Sequence, residues 1–236
     1  MNNIIVQDVM EVYARDIQED KAYFFGLISA NDITQTVKQE AIRGGVGNGV
    51  ISTLQSDKEI KFKVTTAINN DDILSIQSGV EFADGQFTIQ KTEEAKLVAD
   101  KLAISGTPKG TAAVVFDRHG KSYAGTITSG QVTFTGGTEG EIYTVVYPSD
   151  VTGEVLDLRS DKFPNAHYIE MHTIGYDAET NEVACDIYYV FHKALPDGNI
   201  NASYAAGQNK GNEISFTALL PVGSKEYGKY IVVPRA

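Results

Sequence analysis

Tryptophan is absent from the 236 residues, and cysteine occurs once, at Cys185. A lone cysteine cannot close an internal disulfide, which excludes the disulfide-framed extracellular scaffolds. Between Ala184 and Asp186 on an apparent strand, it reads as a small buried hydrophobe rather than a nucleophile. No run of about 18 apolar residues occurs, so no membrane-spanning helix is expected. The chain does not open on a basic segment followed by an apolar run, and the expectation is a soluble protein made in the cytoplasm. The sequon Asn201-Ala202-Ser203 carries no meaning without a secretory signal. Basic residues are also scarce, with 20 Lys and Arg against 31 Asp and Glu, a net charge of −11 and a pI near 4.8. Non-specific nucleic-acid binding needs phosphates neutralised by Lys and Arg. A DNA-binding module is therefore excluded, though not a surface past which DNA moves.

Motifs for chemistry are missing too. Gly45, Gly47 and Gly49 do not meet the G-x-G-x-x-G spacing, and the β-branched run Val50-Ile51-Ser52-Thr53 follows where a dinucleotide site needs a helix. Gly120-Lys121-Ser122 ends like a phosphate loop, but Val115 stands where the first glycine belongs and Tyr123 to Thr128 read as a strand. Asp177 to Asn181 resembles the start of a calcium loop, yet Glu182 and Tyr188 occupy the positions of its glycine and bidentate acid. Of the four histidines, His119 sits in a turn, and His167 and His172, five apart on one strand, face opposite sides. No nucleophile elbow and no H-E-x-x-H occurs. No enzyme, cofactor or metal is expected.

What the chain does contain is 22 glycines, 12 tyrosines and alternating apolar runs, the makings of a mainly β protein. Its organising stretch runs from Ile33 to Val64. Ile33 to Lys38 alternates, and Ile60, Phe62 and Val64 share one face opposite Lys61 and Lys63. Between these arms lies Ile42-Arg43-Gly44-Gly45-Val46-Gly47-Asn48-Gly49. Glycine reaches positive φ without a Cβ penalty but costs entropy when ordered. The segment therefore reads as a hairpin tip, mobile alone and held by a neighbour in an assembly.

Before it, residues 3–28 read as a hairpin: Ile4-Ile5-Val6, Glu11 to Ala14, a charged turn from Arg15 to Lys21, and Ala22 to Leu27. After it, Asn70 to Ser78 is the clearest helix, capped by Asn69 or Asn70, with Asp71 and Asp72 at its positive end and Gly79 placed to end it. Val80 to Ile89 reads as a hairpin turning at Asp84-Gly85. From about Thr92 the texture changes. Thr92 to Lys101 reads equally as helix or strand, and short strands follow at Leu102–Ile104, Ala112–Phe116, Ser122–Thr128, Gln131–Phe134 and Ile142–Tyr147, the pattern of a small sandwich. The division is therefore 1–92, an insertion at 93–152, and 153–236. The last part carries longer strands at Val155–Leu158, His167–Ile174, Val183–Phe191, Asn199–Tyr204, Glu213–Leu219 and Tyr230–Val233.

In this order of elements the chain resembles the major tail (tail tube) proteins of long-tailed bacteriophages. The resemblance rests on Tyr23-Phe24-Phe25-Gly26-Leu27, on Ile33 to Val37 running into Ile42 to Asn48, and on Lys58 to Thr65. It also rests on Ala184 to Phe191, Leu195 to Asn199 and Glu213 to Leu219. It implies a tail-tube-type β-sandwich or barrel with one flanking helix and a long β-hairpin arm, interrupted by a small immunoglobulin-like insertion. It further implies stacked hexameric rings that form a conduit for DNA ejection, with Ile42, Arg43, Gly44, Gly45, Val46, Gly47 and Asn48 in an inter-subunit arm. The implied partners are the chain itself, the tape-measure and tail-terminator or baseplate proteins, and DNA passing without sequence-specific binding, with no membrane. The implied location is the virion tail. The rival readings are a capsid-decorating or baseplate protein and a carbohydrate-binding adhesion module.

Overall fold

The computed structural model describes residues 3–201, 206 and 211–235. Strands account for 60% of the described residues and helix for 4%, so the fold is mainly β. The elements in order are β1 (Ile4–Ile5), β2 (Glu11–Asp16), β3 (Ala22–Phe25), β4 (Ile28–Gly44), β5 (Gly49–Thr66), α1 (Asp71–Ser78), β6 (Ala83–Val98), β7 (Lys101–Ala103), β8 (Ala112–Phe116), β9 (Ser122–Thr128), β10 (Gln131–Phe134), β11 (Ile142–Val155), β12 (His167–Asp177), β13 (Val183–Pro196), β14 (Glu213–Ala218) and β15 (Gly228–Pro234). They form two compact units, one from residues 1–81 and 157–236 and one from 82–156.

The first unit is built on an antiparallel sheet in the order β3-β2-β12-β13-β14-β5-β4, with β1 added to β12 and β15 to β13. Period-two alternation puts Val12 and Ala14 of β2, Ile169 and Met171 of β12, and Phe62 and Val64 of β5 on the buried face. Residues from both ends of the strand order meet there in one core, which α1 joins through Ile73 and Ile76. Phe62 is its centre, stacked on Phe191 at 4.5 Å and on Phe216 at 5.1 Å between ring centroids.

The helix follows its sequence signals closely. Asn70 is the N-cap, its side chain accepting from the Asp72 N–H at 2.9 Å, and Gly79 closes the helix at φ 66° with its own N–H on the Ser75 carbonyl. Gly79 is also required by space, because an added Cβ would sit 2.2 Å from the carbonyl oxygen of Phe163. Gln77 is buried and donates to the carbonyls of Asn199 and Glu213, joining the helix to the start of β14.

The second unit is a closed antiparallel barrel in the order β10-β7-β6-β11-β8-β9. Where two facing sheets were expected, one sheet closes on itself around Leu97, Leu102, Val115, Val132, Val145 and Tyr147. The unit is also wider than 93–152. Asp84 and Gly85 make no turn, and lie inside β6, which pairs with β11 from Lys96–Ile142 to Ala83–Val155. Thr92 to Val98 is strand, not helix, and the hairpin that ends it turns at Ala99-Asp100, both in the left-handed region at φ 52° and 60°. Glycine has a packing reason at Gly125, which faces the barrel interior with Val132 and Val115 so near that a Cβ would meet them at 2.7 and 3.1 Å.

Three further differences concern the first unit. β1 pairs with β12 rather than with β2, so the N-terminal hairpin is β2–β3 alone. Residues 156–166 form no strand. The expected strand Asn199–Tyr204 and the sequon at 201–203 fall mostly outside the described residues, and residues 199–201 are not strand.

Candidate assembly interface

β4 and β5 are paired from Ile28–Thr66 to Gly44–Gly49, far beyond the core they leave. Phe62 is buried and Ile33 and Ile60 are half-buried, but every residue of 34–43 and 45–59 is exposed. From the Gln35–Ile60 pair to the tip is nine residues of ladder, about 30 Å at the strand rise. The result is a two-stranded arm with no sheet on either side among the described residues. An isolated ribbon of this kind has little stability of its own.

Two bulges shape the arm. Asp57, at φ 49°, is the extra residue between the Val37–Lys58 and Lys38–Ser56 pairs, and its carboxylate lies 3.6 Å from the Lys38 ammonium across the ribbon. Ile51 is the extra residue between Ile42–Ser52 and Arg43–Val50. The tip is the four-residue turn Gly45-Val46-Gly47-Asn48, with Gly45, Gly47 and Asn48 at φ 77°, 88° and 52°. Gly44 differs from the sequence expectation: it is a paired strand residue, and its missing Cβ leaves room for Ile51, which would otherwise lie 2.8 Å away. Around the tip Ile42, Val46, Val50, Ile51 and Leu54 are all exposed, an apolar cluster with no cover within its own chain among the described residues.

His167, His172 and Cys185 stand on different faces or strands, while Asp16, Tyr23 and His167 line one small cavity. His167 is buried at the root of β12, its Nδ1 2.9 Å from the Asn165 carbonyl and its Nε2 4.0 Å from Asp16 Oδ2, and burial pushes its pKa down. Burial would raise Asp16, but the N–H groups of Glu19 and Gln18 and the Asn165 amide outweigh it and hold the carboxylate low. His172 faces the other side of β12, stacked on Tyr188 and 2.9 Å from Asp186. Arg235 forks onto Asp186 at 2.6 and 2.7 Å and, with His172, holds that carboxyl well below the usual range. This pin fastens the end of β15 to β13. Cys185, a residue of β13 paired with Pro234 of β15, is buried. Among the described residues no three His, Cys, Asp or Glu side chains converge as a metal set.

A β-rich subunit with a long exposed arm has the make-up of a structural component. The chain belongs to the YomU/Tube protein family, whose model matches residues 4–233. It is 27% identical over 237 aligned positions to the tail tube protein of Bacillus phage SPR, across 98% of this chain and 89% of that one. It is also 26% identical over 158 positions to the SPbeta prophage-derived uncharacterized protein YomU of Bacillus subtilis (strain 168), across 65% and 59% of the two chains. The resemblance to phage tail tube proteins therefore holds, and the role is a structural one in the tail.

Proposed function

We propose that the chain self-assembles into hexameric rings that stack as the tube through which phage DNA leaves, with Ile42–Asn48 as the arm that grips a neighbouring subunit. The observation that carries this is the arm itself: some 30 Å of paired strand whose apolar tip has no cover within its own chain among the described residues. Burying that tip and pairing its open edges against a second copy would offset the entropy of ordering it. The chain's net charge of −11 supports the conduit, since an acidic wall repels phosphate and lets DNA slide. The ends of such a tube would meet the tape-measure and the tail-terminator or baseplate proteins. The barrel at 82–156 takes the part of a decoration that ring formation does not require.

Hydrogen exchange over Lys38–Lys58 tests the arm. It should exchange fast in the isolated subunit and become protected in the assembled polymer, with or without a chelator. Equal exchange in the two states would remove the arm from the interface.

A further inference from the structure

β13 forks the sheet. Its first half pairs with β15 from Cys185 to Phe191, whereas its last residues pair with β14, which leads on to β5 and β4. Between β15 on one side and the root of the arm on the other lies a cleft of about 600 Å³. Ile60, Tyr189 and Tyr230 give it an apolar floor, and the Tyr227 hydroxyl spans it to the Lys58 carbonyl at 2.8 Å. Its rim carries Lys58, Lys225 and Lys229 against the single acid Glu226, in a chain whose overall charge is strongly negative. Those three lysines are exposed and form no ion pair among the described residues.

The opposite end of the same strands has the reverse character. The β12–β13 turn is preformed: Asp177 accepts from the N–H groups of Glu179 and Thr180, Asn181 donates to the Asp177 carbonyl, and Asp177 donates to the Glu182 carbonyl. Glu179 and Glu182 are exposed and form no ion pair among the described residues, and beside them Val183 and Ile5 expose apolar surface. From Val183 to Phe191 is eight residues of β13, about 27 Å along the strand. One end is thus an acid-bearing turn flanked by the apolar side chains of Val183 and Ile5, and the other a cleft edged with bases.

We propose that the cleft receives the Asp177–Val183 turn of a second copy, so that subunits join head to tail along the strand direction. The proposal rests on the self-assembly reading and adds to it a contact that does not involve the arm. Such a contact is heterologous: each copy offers one surface and accepts the other, so the series stays open or closes as a ring according to the rotation between copies. Charge sets its register and the apolar floor supplies burial.

Charge exchange in the full chain provides the test. Lys225→Glu/Lys229→Glu makes the cleft acidic, and Glu179→Lys/Glu182→Lys makes the turn basic. All four positions are exposed, so both variants should melt like the unaltered protein. Each alone should pellet at least roughly tenfold less polymer, because every junction then sets like charges together. An equal mixture of the two should polymerise again, since the basic turn of one fits the acidic cleft of the other. Unaltered polymer from either variant alone, or no recovery on mixing, would overturn the proposal while leaving self-assembly standing. So would maleimide crosslinking of a Lys229→Cys copy to Leu54→Cys in place of Glu182→Cys, which would put the arm tip in the cleft. A wild-type chain that stays monomeric would overturn both readings together.

Discussion

Glu93→Gln is the most informative single perturbation of the barrel. The Glu93 carboxylate accepts from Tyr147 Oη at 2.7 Å, Lys91 Nζ at 2.8 Å, the Ser105 hydroxyl at 3.1 Å, and the N–H groups of Ser105 and Gly106 at 2.7 and 3.0 Å. Burial would raise its pKa, but Lys91 and the other donors outweigh it and hold it at about 2. Glutamine keeps the shape but only one acceptor oxygen, and turns an amide N–H₂ towards donors. Charged hydrogen bonds contribute about 1.5–3 kcal/mol each, and allowing for the exposure of Lys91 and for what the amide recovers, the loss is about 2–3 kcal/mol. For a unit of about 75 residues that is roughly 10–20 °C in Tm. Calorimetry of the full chain should show the barrel transition lowered and the transition of the first unit unmoved. The acid limb gives the same result in the wild type. A depressed carboxylate contributes its stability above the unfolded value near 4.5 and loses it as pH falls towards about 2, so the barrel should weaken across that window. A shift under about 3 °C would show that the five donors do not act as a pin. Equal shifts in both transitions would show that the two units do not melt apart.

Three further outcomes are expected. Phe62→Ala removes the middle ring of the Phe191–Phe62–Phe216 stack and should cost about 3–5 kcal/mol in urea unfolding of the first unit, with the barrel unaffected. Gly79→Ala combines a left-handed backbone with a clash against the Phe163 carbonyl, so a loss of about 1–3 kcal/mol is expected in the same assay. Gly45→Val with Gly47→Val places β-branched side chains at φ 77° and 88° in an exposed turn; circular dichroism should find Tm nearly unchanged while light scattering finds assembly lost, and normal assembly would remove the role given to the tip.

Where local chemistry decides the structure, the sequence was readable. Asn70, Asp71, Asp72 and Gly79 mark the ends of α1 because capping is a contest among a few adjacent backbone groups. Ala112–Phe116, Ser122–Thr128 and Gln131–Phe134 stand where alternation put them. The arm was legible too, from its alternation and its glycines. What failed depended on distant partners. Asp84-Gly85 has the chemistry of a tight turn, but β11 runs alongside from Gly153 to Val155 and holds it extended. Ala99-Asp100 turns without asparagine or glycine because the Leu97–Leu102 pair is buried in the barrel. Barrel closure cannot be told from a sandwich by strand spacing, since both use the same short strands. The forked sheet and its basic cleft escaped for the same reason: Lys58 and Lys229 lie far apart in the chain and meet only because β14 and β15 share β13.

Electron microscopy of the purified chain, concentrated until it scatters light, tests the tail-tube account most directly. The account predicts tubes with an open lumen that show six-fold symmetry end-on and stack as rings from the side. Particles that remain single subunits, or that form closed shells or solid fibres without a lumen, would contradict it.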